Sequence, residues 1–125
     1  MTTAPTTLRG RLRRLLGRAT DDGAVGRTVS APRALEMVRD GAVVLDVRER
    51  AEWKTGHAPH AVHVPLGDIA KAPGRLGKDR PVVVMCASGM RSRTAAKHLR
   101  DAGLTATSLS GGIGAWQAAG GAVRR

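Results

Sequence analysis

The apolar positions of this chain change period as the sequence proceeds. AVVLDV (42–47) and PVVVMC (81–86) are continuous apolar runs, the pattern of strands buried on both faces. TVS (28–30), AVHVPL (61–66) and TATSL (105–109) read as further short strands. Between them the spacing becomes helical. APRALEMVRD (31–40) reads as a helix, with Ser30 as its N-cap, Pro32 in its first turn and Gly41 beyond its end. RAEWKTG is a short helical turn closed by Gly56, and GDIAKAPGRL is a broken helical segment. SRTAAKHLRDAG (92–103) puts Ala95, Ala96 and Leu99 on one face and ends at Gly103. GGIGAWQAAGG opens on glycine and reads as a short final helix. Five strands alternating with helices predict an α/β domain with a mostly parallel sheet.

Composition narrows this picture. A length of 125 residues suits one domain with a modest core. Aromatic residues are only 2% of the chain, Trp53 and Trp116, so Val, Leu, Ile, Ala and Met must build the interior. The net charge of +11 attracts anions of any kind. It is spread along the chain, and two tryptophans make a poor stacking platform, so no specific nucleic-acid partner is expected. Residues 1–26 read as a basic N-terminal tail, with the domain proper at 27–121 and a basic C-terminal tail at 122–125. Within the first tail, Leu8, Leu12, Leu15 and Leu16 stand at helical spacing among arginines. It reads as a solvated tail; a partly helical segment contacting an acidic surface is the alternative. No stretch approaches the roughly 18 apolar residues of a membrane span, and no secretory signal is visible. A cytoplasmic protein is the expectation.

Cys86 is the one cysteine. It excludes a disulfide framework within the chain and a cysteine-rich zinc site. Its position is the informative feature. It ends the most apolar strand and is followed by Ala87, Ser88, Gly89 and Met90, a tight loop entering a helix near Ser92. Ligands of open α/β sheets bind at the carboxyl ends of strands. Loop amides, a helix N-terminus and the nearby Arg91 and Arg93 make a field that favours an anion there. A thiol in that field ionises more easily than free cysteine. The expected chemistry is an exposed, cradled thiolate acting as nucleophile on an anionic substrate. An inert buried cysteine is the competing reading.

CASGMRS (86–92) resembles the C-x-x-G-x-R-S loop of single-domain rhodaneses, in the thiosulfate sulfurtransferase superfamily. LDVRERAEWKTGHAPHAVHVPL (45–66) resembles that family's upstream signature, and LSGGIGAWQAAG (109–120) its closing segment. The resemblance implies a three-layer domain whose central five-stranded sheet is flanked by helices. It implies sulfur transfer through a Cys86 persulfide, formed from thiosulfate or a related anionic donor and discharged to cyanide, a thiol or a protein acceptor. Amides of the loop Ala87, Ser88, Gly89, Met90, Arg91 and Ser92 would hold the anion, with no metal or organic cofactor. A sulfur-relay or protein-binding module with little free turnover is the alternative. Related phosphatases and arsenate reductases use a loop one residue longer, so the four residues between Cys86 and Arg91 favour sulfur.

Some roles stay open at this point. Arg91 would bind the donor or support the loop, with Asp46 as its candidate partner. Arg48 would reach the pocket mouth or pair with Glu52. His57, His60 and His63 stand three residues apart, as metal ligands sometimes do. A turn entering a strand gives their rings no reason to converge, and no metal is expected. His60 also stands where the family usually has glycine, which puts a glycine dihedral at stake.

Overall fold

A computed structural model describes residues 26–125. The readings made for residues 1–25 lie outside the described residues. Five strands form one sheet: β1 (Thr28–Val29), β2 (Val43–Asp46), β3 (Val62–His63), β4 (Val82–Met85) and β5 (Ala106–Leu109). Their order is β1-β5-β4-β2-β3, and every pairing is parallel. The helices are α1 (Ala31–Arg39), α2 (Arg50–Lys54), α3 (Ala72–Leu76), α4 (Met90–Asp101) and α5 (Gly112–Ala118), with a 3-10 segment at Leu66–Lys71.

The continuous apolar runs are the inner strands. All residues of β2, β4 and β5 are buried, because helices cover both faces of the sheet. Strand alternation divides β4 between two cores. Val82, Val84 and Cys86 pack with Ala95, Ala96 and Leu99 of α4. Val83 and Met85 pack with Ala34 and Met37 of α1 and Trp116 of α5. Each fully buried valine contributes about 1.5–3 kcal/mol by area, so β4 is firmly anchored on both faces. A site at its end inherits a rigid base.

Local chemistry fixes the element ends. The Ser30 hydroxyl accepts the Arg33 amide at 3.3 Å and caps α1, which shortens the expected first strand by one residue. Glu49 and Glu52 form a capping box at the start of α2. Only Val62 and His63 of the run 61–66 pair as strand, at the edge of the sheet. Helix α4 begins at Met90, two residues before the sequence reading placed it.

Residues 122–125, read from the sequence as a basic C-terminal tail, dock against the domain. His57 and Arg124 exchange both backbone hydrogen bonds at 2.8 Å. The Trp116 indole donates to the Ala122 carbonyl at 2.8 Å. His60 keeps the left-handed turn, at φ 65°. A β-carbon there costs about 1–2 kcal/mol, while glycine's extra freedom when unfolded offsets about 0.4–1 kcal/mol. His60→Gly is therefore expected to leave the melting temperature unchanged or raise it by a few degrees, as thermal denaturation would measure.

Candidate active site

Cys86 follows the last residue of β4, so its backbone is fixed by the sheet. Gly89 adopts φ 112° and serves as the N-cap of α4. Glycine brings no side chain to satisfy the free amides of the first helical turn. The cysteine sulfur does so instead. Sγ accepts the Gly89 amide at 3.0 Å and the Ser92 amide at 3.3 Å. The thiol lies 3.4 Å from Ser92 Oγ, to which it donates. A sulfur atom thus occupies the anion position of a helix N-terminus.

The electrostatics follow from this geometry. Burial opposes ionisation of Cys86 most strongly. The Ser92 hydroxyl and the amides of Ser92, Gly89 and Ser88 outweigh it together, and the thiol is more acidic than a free cysteine. The sulfur is nevertheless not exposed, in contrast to the sequence expectation: Cys86 has 0% accessible surface. The loop closes over it, with Gly89 and Ser92 buried and Ala87, Ser88 and Met90 facing solvent. Arg93 also faces solvent.

The charged residues pair differently from the sequence reading. Arg91 does not meet Asp46. Its guanidinium forms a fork with Glu52, at 2.7 and 2.8 Å. Arg48 does not pair with the Glu52 carboxylate. It is buried against Asp46, with Nε 3.0 Å from both carboxylate oxygens and Nη2 at 2.8 Å. Its remaining donors reach the Glu52 and Gly56 carbonyls at 3.2 and 2.7 Å. Alternation places residues i and i+2 of an extended segment on one face, which brings Asp46 and Arg48 together. Arg91 and Glu52 are 39 residues apart and meet only through the fold.

Two residues absent from the sequence reading of the site belong to it. Ser108 of β5 is buried and lies 2.7 Å, oxygen to oxygen, from Ser92. Gly112 packs directly beneath the loop, where an added β-carbon would lie 2.1 Å from the Ala87 carbonyl oxygen. The three histidines do not cluster as ligands. His57 and His63 stack on Trp53, with ring centroids at 3.6 and 4.6 Å. His57 Nδ1 is 3.1 Å from the Trp53 carbonyl and His63 Nε2 is 2.8 Å from the Arg48 carbonyl. His60 faces solvent. No group of three metal-ligating side chains converges among the described residues.

The profile of the rhodanese-like domain matches residues 30–119. The chain belongs to the rhodanese-like domain family. A candidate sulfurtransferase of Bacillus subtilis (strain 168), YtwF, is 40% identical over 74 residues, covering 59% of this chain and 72% of that protein. The thiosulfate sulfurtransferase GlpE of Pseudomonas savastanoi pv. phaseolicola is 34% identical over 89 residues, covering 70% and 84%. A rhodanese-related protein of Thermoplasma volcanium superposes with a TM-score of 0.72 at 30% identity, over 79% of this chain and 98% of that one. These relatives associate the rhodanese-like fold with sulfur transfer. Among the described residues, no helix is long and apolar enough to cross a membrane.

In this rhodanese-like domain the Arg91–Glu52 fork clamps the first turn of α4 to α2. The Arg91 guanidinium holds the Glu52 carboxyl at about 2, against burial, with help from the Glu49 amide and Arg48. The depressed value means that the stabilisation is complete above the ordinary carboxylate range and is lost as pH falls toward 2. Both side chains are about one-third exposed, and solvent screening reduces the contribution to about 1 kcal/mol. Glu52→Gln is expected to cost that amount at neutral pH. The gap to wild type should begin to narrow in urea titrations below about pH 4, as the unfolded chain's carboxylate protonates, and close only toward pH 2, where the folded one does.

Proposed function

We propose that this protein is a sulfurtransferase that carries sulfane sulfur on Cys86. The Cys86 thiolate attacks the outer sulfur of thiosulfate or a related donor. A bond forms between the two sulfurs, the donor's S–S bond breaks, and sulfite leaves with the electron pair. The resulting persulfide is itself an anion. The amides of Gly89 and Ser92 stabilise the attacking thiolate at Sγ, and the positive field of the helix N-terminus lowers the cost of the charge that the outer sulfur then carries. A thiophilic acceptor then attacks the outer sulfur and releases the thiolate. With cyanide the product is thiocyanate; a thiol or a protein cysteine would accept the sulfur in the same way. The observation that carries this reading is the sulfur held at 3.0 and 3.3 Å by two main-chain donors. A lone thiol used in this way suits a reducing, cytoplasmic setting.

Arg91 has a supporting role in this reading. Its charge is matched by Glu52, so donor attraction falls to the amides and to the protein's net charge of +11. Asp46 and Arg48 support the loop at one remove, through α2. The closed sulfur favours a second reading, a relay module that opens only against a partner and takes sulfur from a protein persulfide.

Intact-mass analysis separates the two. After incubation with thiosulfate the protein is expected to gain the mass of one sulfur atom. Cyanide should remove it, and Cys86→Ser should abolish it. If thiosulfate, mercaptopyruvate and polysulfide all leave the mass unchanged, the free-enzyme reading fails. Transfer only from a persulfidated protein would then support the relay.

A further inference from the structure

We infer that Ser108, on β5, is a positioning residue for the Cys86 thiolate, acting through the hydroxyl of Ser92. The inference rests on the sulfur-transfer reading only in making the thiolate the reactive form.

The protons and lone pairs around Ser92 set the direction of its hydrogen bonds. Ser92 Oγ has one proton and two lone pairs. Three groups lie around it: the Gly89 carbonyl at 3.1 Å, Cys86 Sγ at 3.4 Å and Ser108 Oγ at 2.7 Å. Among the described residues, Ser92 Oγ is the hydrogen-bond partner of the Ser108 hydroxyl. Both serines are fully buried, and buried hydroxyls are as a rule hydrogen-bonded. If Ser92 donated to Ser108, the Ser108 proton would have no acceptor and the Gly89 carbonyl would lose its donor. The satisfied arrangement runs one way. Ser108 donates to Ser92, Ser92 donates to the Gly89 carbonyl, and the thiol donates to the remaining lone pair of Ser92.

Loss of the thiol proton changes one link of this chain. The sulfur can no longer donate and needs donors. The Ser92 proton then swings from the Gly89 carbonyl to the sulfur, joining the two amides. Ser108 continues to donate to Ser92 in both states. It thereby blocks the unproductive orientation of that hydroxyl toward β5 and polarises the bond to the sulfur. The charged groups on the neighbouring elements are already paired, Arg91 with Glu52 and Arg48 with Asp46. The hydroxyl chain is thus the adjustable part of the thiolate's surroundings.

The test is the pH titration of the Cys86 thiolate by its ultraviolet absorbance. It needs no reagent to enter the closed loop, and the one cysteine of the chain gives an unambiguous signal. Ser92→Ala is expected to raise the midpoint by about 1–2 pH units, the loss of one hydrogen bond to a charge. Ser108→Ala should raise it by about half a unit through lost polarisation. In the Ser92→Ala background, Ser108→Ala should add nothing, because its path to the sulfur is gone. Thr107→Val removes the hydroxyl on the opposite face of the same strand, where Oγ1 is buried without a partner among the described residues, and should leave the midpoint in place.

An unchanged midpoint in Ser108→Ala overturns the inference. So does an equal shift in the Ser92→Ala background, or a similar shift in Thr107→Val. A wild-type midpoint near that of free cysteine together with absent persulfide would instead remove the sulfurtransferase reading. A lowered midpoint with persulfide formed, and no effect of Ser108, removes the role of Ser108 alone.

Discussion

Arg48→Ala is expected to lower the unfolding free energy by about 3–5 kcal/mol, the usual cost of leaving one member of a buried ion pair alone. Asp46 has no accessible surface and Arg48 is 4% exposed. Four hydrogen bonds join the two residues, one of them from the Arg48 amide to Asp46 Oδ1 at 3.0 Å. Truncating the arginine strands a carboxylate at the end of β2, removes the side-chain donor of the Gly56 carbonyl, and takes one of three donors from the Glu52 carbonyl, which keeps the Thr55 amide and hydroxyl. Those carbonyls lie at and beyond the C-terminal end of α2, where a cation also opposes the helix dipole. Domains of this size are stable by about 5–15 kcal/mol, so the variant should be close to unfolding at physiological temperature. Asp46→Leu with Arg48→Met exchanges the pair for apolar volume and should recover much of the loss. Chemical denaturation measures both. A loss below about 1 kcal/mol for Arg48→Ala would show that water reaches the carboxylate.

The consequence reaches the sulfur. Arg48 holds α2, α2 carries Glu52, and Glu52 clamps Arg91 in the first turn of the helix whose amides face Cys86. The D-x-R segment therefore braces the loop after Cys86 through α2. A variant that weakens this support without unfolding the domain should raise the thiol midpoint, because the Ser92 and Gly89 amides lose their fixed aim.

The elements of this fold were readable because each declares itself locally. Continuous apolar runs mark the buried inner strands. Ser30 with Pro32 marks the start of α1. The cysteine at a strand end, before a glycine and a helix, marks the candidate loop. What the sequence left open is decided between elements. The exchange of partners among Asp46, Arg48, Glu52 and Arg91 depends on where α2 lies against α4. Closure of the loop over Cys86 depends on how α4 sits on β4, since the helix begins at Met90 and draws the loop tight. Ser108 looks like any short polar residue in a strand until the β4–β5 register sets it over Ser92. The last residues read as a tail by their charge alone, yet the Trp116 indole needs an acceptor and finds it at Ala122.

Gly112→Ala is expected to be strongly damaging to both the stability and the chemistry of this domain. Gly112 opens α5 at φ 65°, a conformation that costs an alanine about 1–2 kcal/mol. The larger penalty is steric. The new β-carbon would lie 2.1 Å from the Ala87 oxygen, 2.3 Å from its carbonyl carbon and 2.6 Å from the Cys86 oxygen. These are backbone atoms and cannot swing aside as a side-chain tip would. Either α5 lifts or the start of the reactive loop is displaced by about 1 Å. The first breaks the bond from the Ile113 amide to the Cys86 carbonyl, 2.9 Å in the native structure. The second carries the sulfur away from its amides, and a displacement of that size costs about a hundredfold in rate. A stability loss above about 3 kcal/mol is expected, with persulfide formation slowed at least as much as positioning predicts. Gly114→Ala provides the contrast within the same helix. Its β-carbon meets nothing within 4 Å, and helix propensity favours alanine there by about 1 kcal/mol. It should fold at least as well as wild type and form persulfide at the same rate. If the two alanines prove equivalent by denaturation and by intact mass, the close approach of α5 to the Cys86 loop is not what holds the sulfur in place.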